Sequence, residues 1–441
     1  MDGGYNFFPM EVDMEKKKIR IAIAGLGSRG RTAYGAILLD MKDRAEVVAV
    51  ADFDENRTRL AAAEHNVAPD MVFSSVEEML SKDKLADAVL ICTQDQDHVR
   101  HALMALEKGY DILLEKPVSP DLNELRAIVR KSEETGRRVL VCHVLRYTPF
   151  FQTIKKAIDS GRIGRVVTVQ AIENVRYWHQ AHSFVRGNWR RKEDTSPMIL
   201  AKCCHDLDYL IWLCGSKCRS VSSYGSLSYF KAECAPEGAA MRCMDGCKAK
   251  ENCPYDAEKI YLTNKDTGIL GGNTEWPIDV LSDEPTVESV TKAIKEGPYG
   301  RCVFHCDNDV VDNQIVAMEM ESGATVTLTM SAFTSIGGRT IKVMGTLGDI
   351  TGDMHDNIIK ITEFGKEPEI IDLGREEKDF AGHGGGDAML IDEFVSLLEG
   401  AEVNNTVTTL AVSVESHLVA LAAETSRLED GKPQLIAPLR G

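Results

Sequence analysis

A cluster of glycines near the start of the chain has the spacing of a phosphate-binding loop. The segment KIRIAIAGLGSRGRTAYGAILLD places Gly25, Gly27 and Gly30 in a G-x-G-x-x-G pattern between an apolar strand and a helix. The first glycine permits a tight turn, the second lets a pyrophosphate approach the backbone, and the third allows close helix–strand packing. Free N–H groups at the helix start then face the phosphates. We therefore predict a dinucleotide site that also includes Ser28 and Arg29.

The residue that ends the next strand indicates which dinucleotide binds. Asp52 closes the segment EVVAVAD, about 20 residues after the glycine loop. A carboxylate there accepts hydrogen bonds from the ribose hydroxyls and repels a 2′-phosphate, so NAD is predicted over NADP. Arg57, one helical turn further on, could soften this preference.

Strand–helix alternation continues through the first third of the chain. The apolar strands ADAVLICT, YDILLEKPV and RRVLVCHV are separated by helical segments, which predicts a doubly wound parallel sheet. We assign residues 1–17 to a tail and 18–145 to this α/β domain. Ligands bind beyond the carboxyl ends of such strands. The cofactor contacts expected there are Thr93, Gln94, His98, Glu115 and Lys116, and His143 and Arg146 should face the same cleft.

The segment SPMILAKCCHDLDYLIWL, residues 196–213, carries polar groups inside an apolar run. Its apolar residues recur at helical spacing, which predicts one half-buried helix. Ala201, His205 and Asp208 form a row on it, because residues three and four apart are neighbours on a helix. His205 is a candidate catalytic group, although a lone histidine can also be a core residue. Asp208 is assigned to the substrate site, with anchoring of the helix as its favoured role.

An aromatic and basic segment, NVRYWHQAHSFVRGNWRR, precedes this helix. Aromatic faces can cover the C–H surfaces of a sugar, while histidine and arginine reach hydroxyls or an anionic substituent. The alternative is a loop held by ordinary salt bridges. The predicted substrate contacts are Arg146, Tyr147, His182, Arg186, Trp189 and Asp208.

Three stretches, GLGSRG with VADFD, LICTQDQDHVRHALMALEKGYDILLEKPVS and RYTPFFQTIKKAIDSGRIGRVV, together resemble the Gfo/Idh/MocA oxidoreductases. The resemblance runs from about Lys17 to the C-terminus. It implies a Rossmann domain, then an α+β domain over residues 146–380 with an open, mostly antiparallel sheet, and closing helices over 381–441 near the junction. The family dimerises through the exposed face of that sheet, so a homo-oligomer, a dimer or tetramer, is expected.

The resemblance also implies a reaction: NAD(P)-linked hydride transfer to or from a sugar, sugar acid or cyclitol. Lys116, in the Glu-Lys-Pro triplet at 115–117, would be the catalytic lysine, with His205 as its partner. The family carries an acid four residues before this histidine, where the chain has Ala201. Lys116 and His205 could still suffice, with Lys202 or Asp206 nearby as possible partners. An NAD-dependent glycoside hydrolase acting by transient oxidation, elimination and re-reduction, and a non-catalytic dinucleotide sensor, remain alternatives.

A cysteine-rich insert, residues 231–306, departs from the family pattern. Cys243, Cys247 and Cys253 are spaced Cys-x3-Cys-x5-Cys in a loop, and Cys302 could supply a fourth ligand. This pattern predicts a structural zinc site. Cys234 or Cys306 could replace Cys302, and unligated thiols are the alternative.

Composition narrows the function classes. A net charge of −17 disfavours nucleic-acid binding. No stretch approaches the roughly 18 apolar residues of a membrane span, and the first 18 residues lack the apolar core of a secretion signal. Many of the 12 cysteines fall in apolar segments, as reduced thiols do in a cytoplasmic enzyme. The expected partner is a small carbohydrate.

Overall fold

Six short parallel strands form the first sheet. The computed structural model describes residues 17–374 and 384–440. Most residues of these strands are buried, as in parallel sheets covered on both faces. The strands are β1 (Ile19–Ala24), β2 (Ala45–Ala51), β3 (Val72–Phe73), β4 (Ala88–Ile91), β5 (Asp111–Leu114) and β6 (Val139–Val141), in the order β3-β2-β1-β4-β5-β6. The α-helices between them are α1 (Ala36–Asp40), α2 (Glu55–His65), α3 (Val76–Ser81), α4 (His98–Glu107) and α5 (Leu122–Thr135).

A second sheet of nine strands follows. Its strands alternate buried and exposed residues, which is the pattern of a sheet with one solvated face. They are β7 (Val166–Arg176), β8 (Cys218–Ser226), β9 (Asn313–Met320), β10 (Thr325–Thr334), β11 (Gly338–Gly345), β12 (Gly348–Asp353), β13 (Ile358–Glu363), β14 (Glu369–Asp372) and β15 (Gln434–Leu435). The order is β14-β13-β12-β11-β7-β10-β9-β8-β15, and neighbours are antiparallel except β7 and β10. The predicted fold class is confirmed.

The remaining α-helices follow the first sheet along the chain. They are α6 (Pro149–Asp159), α7 (Tyr177–His179), α8 (Met198–Ala201), α9 (Cys204–Cys214), α10 (Val287–Glu296), α11 (Gly386–Leu398), α12 (Leu410–Leu428) and α13 (Ala437–Arg440). Helix α12 contacts β8 and α9 in the second domain and α5 and β6 in the first. Its His417 Nε2 accepts a hydrogen bond of 2.8 Å from the backbone N–H of Val118. None of the helices in residues 17–374 and 384–440 has both the length and the apolar character to cross a membrane.

The helix predicted over residues 196–213 is interrupted. Helix α8 ends at Ala201 and α9 begins at Cys204, with Lys202 and Cys203 in a turn between them. The prediction of one continuous helix was therefore wrong. Ala201 now occupies the C-terminus of a helix, where carbonyl groups lack intrahelical partners.

The predicted insert lies within the connection between β8 and β9. Its aromatic and aliphatic residues build a small core of their own around Tyr261 and Ile294, against Trp178 of α7. Its tip reaches the first domain, where Thr32 Oγ1 donates to Asp279 Oδ2 at 3.1 Å and Arg57 Nε lies 3.1 Å from Asp283 Oδ1. The insert therefore contacts the helix that follows the glycine loop.

The predicted domain boundaries remain predictions. Residues 1–16, most of the expected tail, and residues 375–383, which contain the expected boundary at 380/381, lie outside the described residues.

Candidate active site

The glycine loop forms an open cradle at the carboxyl end of β1. Gly25 has φ +90°, and a Cβ there would lie 2.6 Å from the carbonyl oxygen of Cys92. A Cβ on Gly30 would lie 1.9 Å from the oxygen of Gly25. By contrast, a Cβ on Gly27 would have Arg57 Nη1, 3.8 Å away, as its nearest contact. The loop is thus tightly packed on its inner side and open at Gly27, as a pyrophosphate requires.

Asp52 lies directly beside this loop. Its Oδ2 accepts a hydrogen bond of 2.6 Å from the N–H of Leu26, and its Oδ1 accepts one of 2.9 Å from the N–H of Asp54. These two bonds fix the carboxylate at the end of β2, where it holds the glycine loop. Each oxygen keeps a further lone pair for a ribose hydroxyl.

Two predicted cofactor contacts are occupied by protein groups. Arg29 Nε donates to Glu115 Oε1 at 2.8 Å, and its Nη2 donates to Asp387 Oδ1 at 2.6 Å. The hydroxyl of Tyr34 also donates to Glu115 Oε1. Burial opposes ionisation of Glu115, but Arg29 and Lys116 hold the pKa of this carboxyl below its usual range. Arg29 and Glu115 thus join the glycine loop to β5 and α11, and their assignment as cofactor contacts stays a prediction.

The loop after β4 also contains one residue held by protein groups and others that are accessible. His98 is buried, with Nδ1 2.6 Å from Pro117 O and Nε2 2.9 Å from Thr93 O. Its ring therefore positions this loop and the Lys116–Pro117 turn, and its assignment as a cofactor contact stays a prediction. Thr93 is half-buried and Gln94 is exposed, so both remain accessible, as does Ser28 in the glycine loop.

Lys116 bridges the two domains. It lies two residues beyond the end of β5, and its Nζ donates a hydrogen bond of 2.9 Å to the carbonyl oxygen of Ala201. Its own N–H donates to Glu115 Oε2 at 3.0 Å. The side chain is only half-buried. An ammonium group is thus held at the junction by a helix-terminal carbonyl, at the position where the family carries an acid.

His205 lies in a row of buried imidazoles. Its ring centroid is 5.8 Å from that of His143, which is 5.6 Å from that of His417. Burial, with the charges of Arg146 and Lys116, holds the pKa of His143 well below its usual range. A neutral His143 therefore separates His205 from α12.

Lys202 and Asp206, the two possible partners of Lys116 and His205, belong to one buried charge cluster. Lys202 Nζ lies 3.4 Å from Glu173 Oε1, and Arg339 Nε lies 2.9 Å from Glu173 Oε2 and 3.0 Å from Asp206 Oδ1. Burial raises the pKa of Asp206 to about 6 despite Arg339. Burial also lowers the pKa of Lys202. Asp206 is therefore committed to Arg339, whereas Lys202 lies beside the cleft with a pKa moved toward the working range of a base.

His179 is a candidate site residue that the sequence analysis missed. Its ring centroid is 4.7 Å from that of Trp276, which the insert supplies. Burial, followed by the charges of Lys202 and other cations including Lys116, holds its pKa well below the usual range. The imidazole is neutral and half-buried, so it can accept a hydrogen bond. Its place one helical turn before the predicted His182 was the available signal.

Most predicted substrate contacts are engaged with other groups of the protein, and their assignment to the substrate site stays a prediction. Arg146 and Asp208 form a two-point ion pair with both N···O distances 2.6 Å, so the favoured anchoring role of Asp208 agrees with the geometry. The Tyr147 hydroxyl lies 3.0 Å from Thr408 Oγ1, and His182 Nδ1 lies 3.0 Å from the Tyr261 hydroxyl. The remaining two have comparable partners: Trp189 Nε1 donates to Asp95 Oδ1 at 3.1 Å, and Arg186 Nε donates to the oxygen of Arg301 at 2.7 Å.

The predicted zinc site is not supported. Cys243, Cys247, Cys253 and Cys302 do line one cavity. Within residues 17–374 and 384–440, however, no three or more His, Cys, Asp or Glu side chains are arranged to hold a metal ion. The tetrahedral zinc prediction fails because Zn–S bonds of about 2.3 Å require the sulfurs to converge on one point.

A Rossmann domain, an open antiparallel sheet and a lysine at their junction define a two-domain NAD-binding oxidoreductase. Two family models match: "Oxidoreductase family, NAD-binding Rossmann fold" over residues 19–143 and "Oxidoreductase family, C-terminal alpha/beta domain" over residues 155–412. The chain belongs to the Gfo/Idh/MocA oxidoreductase family.

Known proteins resemble the chain to different extents. A putative oxidoreductase, YteT of Bacillus subtilis, is 23% identical over 85% of this chain and 87% of its own length. An inositol 2-dehydrogenase of Corynebacterium glutamicum is 28% identical over 46% of this chain, which is 57% of that relative's length. An Agrobacterium radiobacter oxidoreductase solved with NAD+, L-tartaric acid and magnesium matches with TM-score 0.68 and 16% identity, covering 96% of this chain and 100% of that chain. The last likeness shows the fold alone.

Proposed function

We propose that the protein transfers hydride between NAD and a hydroxyl-bearing carbon of a sugar, sugar acid or cyclitol. The observation that carries this proposal is the position of Lys116. Its Nζ leaves the carboxyl end of β5, in the dinucleotide-binding domain, and contacts Ala201 of the second domain. Ligands of such sheets bind beyond the strand carboxyl ends, so a substrate between the domains meets this group.

Residues of the chain itself carry out proton transfer and contact the substrate. Bound NAD would supply the hydride acceptor. As an amine, Lys116 Nζ accepts the hydroxyl proton during oxidation, and as an ammonium it returns the proton during reduction. Lys202 and His205 follow Ala201 by one and four residues. His205 serves as the second proton-transfer group, and Lys202 is its neighbour. The aromatic face of Trp276, packed on His179, suits the C–H face of a cyclic polyol.

NAD is favoured over NADP by the charges around the ribose end of the cradle. Asp52 is fixed beside Leu26 and would repel a 2′-phosphate. Arg57, the cation that could attract that phosphate, is already paired with Asp283 of the insert at 3.1 Å. Asp279 adds a further carboxylate beside Thr32.

The substrate class rests on the relatives and on the cleft. Inositol 2-dehydrogenases are among the similar proteins, and Lys116 and Lys202 favour a substrate with an anionic substituent. The redox-assisted glycoside hydrolase is the alternative outcome of the same experiment.

A substrate screen tests the proposal. Purified protein with NAD is offered free sugars, sugar acids and cyclitols, and NADH formation is followed. Oxidation of at least one class with one NADH per product supports the proposal. Cleavage of glycosides without accumulated NADH, and with solvent deuterium entering the carbon next to the anomeric centre, would establish the hydrolase instead.

We also propose a homo-oligomer that buries the open face of the second sheet. Ile172 and Ile315 are 41% and 51% exposed there, and both pair with Thr329 in neighbouring strands. Tyr224, 63% exposed, lies opposite Ile315 on β8. Light scattering of the Ile172→Lys/Ile315→Lys variant should show a smaller species than the parent; an unchanged mass would place the interface elsewhere.

A cytoplasmic location is proposed on the 12 free thiols.

A further inference from the structure

Four cysteines surround one cavity in the insert. Cys243, Cys247, Cys253 and Cys302 line one partly open cavity. Arg242 and Arg301 pair as an isolated β-bridge, so the cysteines that directly follow them lie on neighbouring segments. All four are free thiols, and the cavity is otherwise walled partly by apolar side chains, among them Val303 and Phe304.

A buried cation faces the same cavity. Arg186 is 0% exposed, and its Nη2 donates to Cys243 Sγ at 3.6 Å and to the oxygen of Tyr255 at 2.6 Å. Its Nη1 is buried and has no hydrogen-bond partner in the part of the chain that the structure describes. Among the described residues, the partners of this guanidinium are carbonyl oxygens, a sulfur and the Tyr261 hydroxyl, which are uncharged groups. A buried charge is costly unless it is paired, and neutral thiols do not offset it.

We propose that Cys243, Cys247, Cys253 and Cys302 hold a four-iron, four-sulfur cluster. Such clusters are bound by four cysteine thiolates. The cuboidal core holds its cysteine sulfurs further apart than a single ion does, which fits four cysteines around one cavity without a mononuclear site. Two ferric ions, two ferrous ions and four sulfides form a core of charge +2, and its binding forms four Fe–S(Cys) bonds and releases four thiol protons. The ligated cluster therefore has a charge of −2 and would pair with Arg186.

Two further contacts suit this ligand set. The N–H of Ala257 points at Cys243 Sγ at 3.4 Å, and N–H bonds to cluster sulfurs tune such centres. Cys253 is followed by Pro254, as in the Cys-Pro ending of bacterial ferredoxin motifs. The cluster would tie the loop over residues 243–253 to the segment at Cys302. That insert also brings Asp279 to the helix after the glycine loop and Asp283 to Arg57 of α2, so the role inferred for the cluster is structural.

The test uses the full chain purified without oxygen, and again after anaerobic reconstitution with equal amounts of ferric and ferrous iron and with sulfide. We expect about four iron and four acid-labile sulfide per chain, with a broad visible absorption that dithionite bleaches and a paramagnetic signal on reduction. Cys243→Ser and Cys247→Ser should each lose most of the iron. Cys214→Ser, at the end of α9 and away from the cavity, is the matched control and should retain it.

The reduction potential of the Arg186→Met variant provides a second measurement, and it can be made only on folded protein that has bound iron. Loss of the positive charge should leave iron bound but lower the reduction potential of the centre. A folded protein, judged by circular dichroism, that takes up no iron under either condition would overturn the proposal. So would one zinc per chain in place of iron, or iron that the Cys247→Ser variant retains in full.

Discussion

Lys116 Nζ and the carbonyl oxygen of Ala201 lie 2.9 Å apart across the junction between the two domains. The resemblance implies an acidic residue at position 201, where the chain has alanine. The backbone carbonyl of Ala201 accepts the hydrogen bond from Lys116 instead. This contact orients Lys116 without a competing negative charge in the cleft.

Lys116→Met should abolish turnover while NAD affinity stays within several-fold, because the glycine loop supplies most cofactor contacts. Loss of one acid/base group costs typically 10²–10⁴-fold. Initial rates and NAD binding isotherms measure the two effects. Lys108→Met, on the exposed end of α4, is the control. Near-normal turnover of the Lys116 variant would remove this lysine from the mechanism.

Asp283→Asn should narrow the preference for NAD over NADP, because it releases Arg57 toward the ribose end of the cradle. Asp52→Ala should narrow it further by removing the repulsive carboxylate. Binding isotherms for both cofactors decide the matter, with Glu284→Gln, an exposed neighbour, as control. If the parent protein binds NADP more tightly, the assignment of Asp52 is wrong.

His179→Gln should lower kcat/KM about ten-fold or more while leaving NAD affinity unchanged, because the imidazole lies beside Lys202 and Trp276 rather than in the glycine loop. His305→Gln in the insert is the comparison. Equal kinetics for the two variants would exclude His179 from the substrate site.

Asp208→Ala should destabilise the fold by about 3–5 kcal/mol, since it strands Arg146 as an unpaired buried charge. Chemical denaturation gives the free energy of unfolding. KM of the folded fraction should remain near that of the parent. A raised KM with unchanged stability would support the predicted substrate role of Arg146 and Asp208 instead of an anchoring role.

Stability should fall as the pH drops below about 6.5. Burial lowers the pKa of His182 and of His417 from 6.5 to about 3. Between these values the unfolded chain binds protons that the folded protein does not, so each histidine removes about 1.4 kcal/mol per pH unit. Denaturation midpoints from pH 7 to 4 measure the slope. His417→Gln should show a shallower slope, and an unchanged one would show that His417 is not buried as a neutral ring.

Local patterns in the sequence were enough to predict the first sheet, the glycine loop and the place of Lys116, whereas the second sheet was predicted from the family resemblance. The local predictions depend on residues close together in the chain: apolar strands alternating with helices, the G-x-G-x-x-G turn, and a lysine just beyond the end of a strand. These features are set by backbone geometry, which neighbouring residues control.

The partners of the charged side chains were decided only by the tertiary structure. Arg29 pairs with Asp387 and Arg146 with Asp208, because folding removes these groups from water and a buried charge must find an opposite one. The spacing of Cys243, Cys247 and Cys253 indicated ligands, but the distance between sulfurs, which separates one ion from a cluster, depends on how the insert folds back to Cys302.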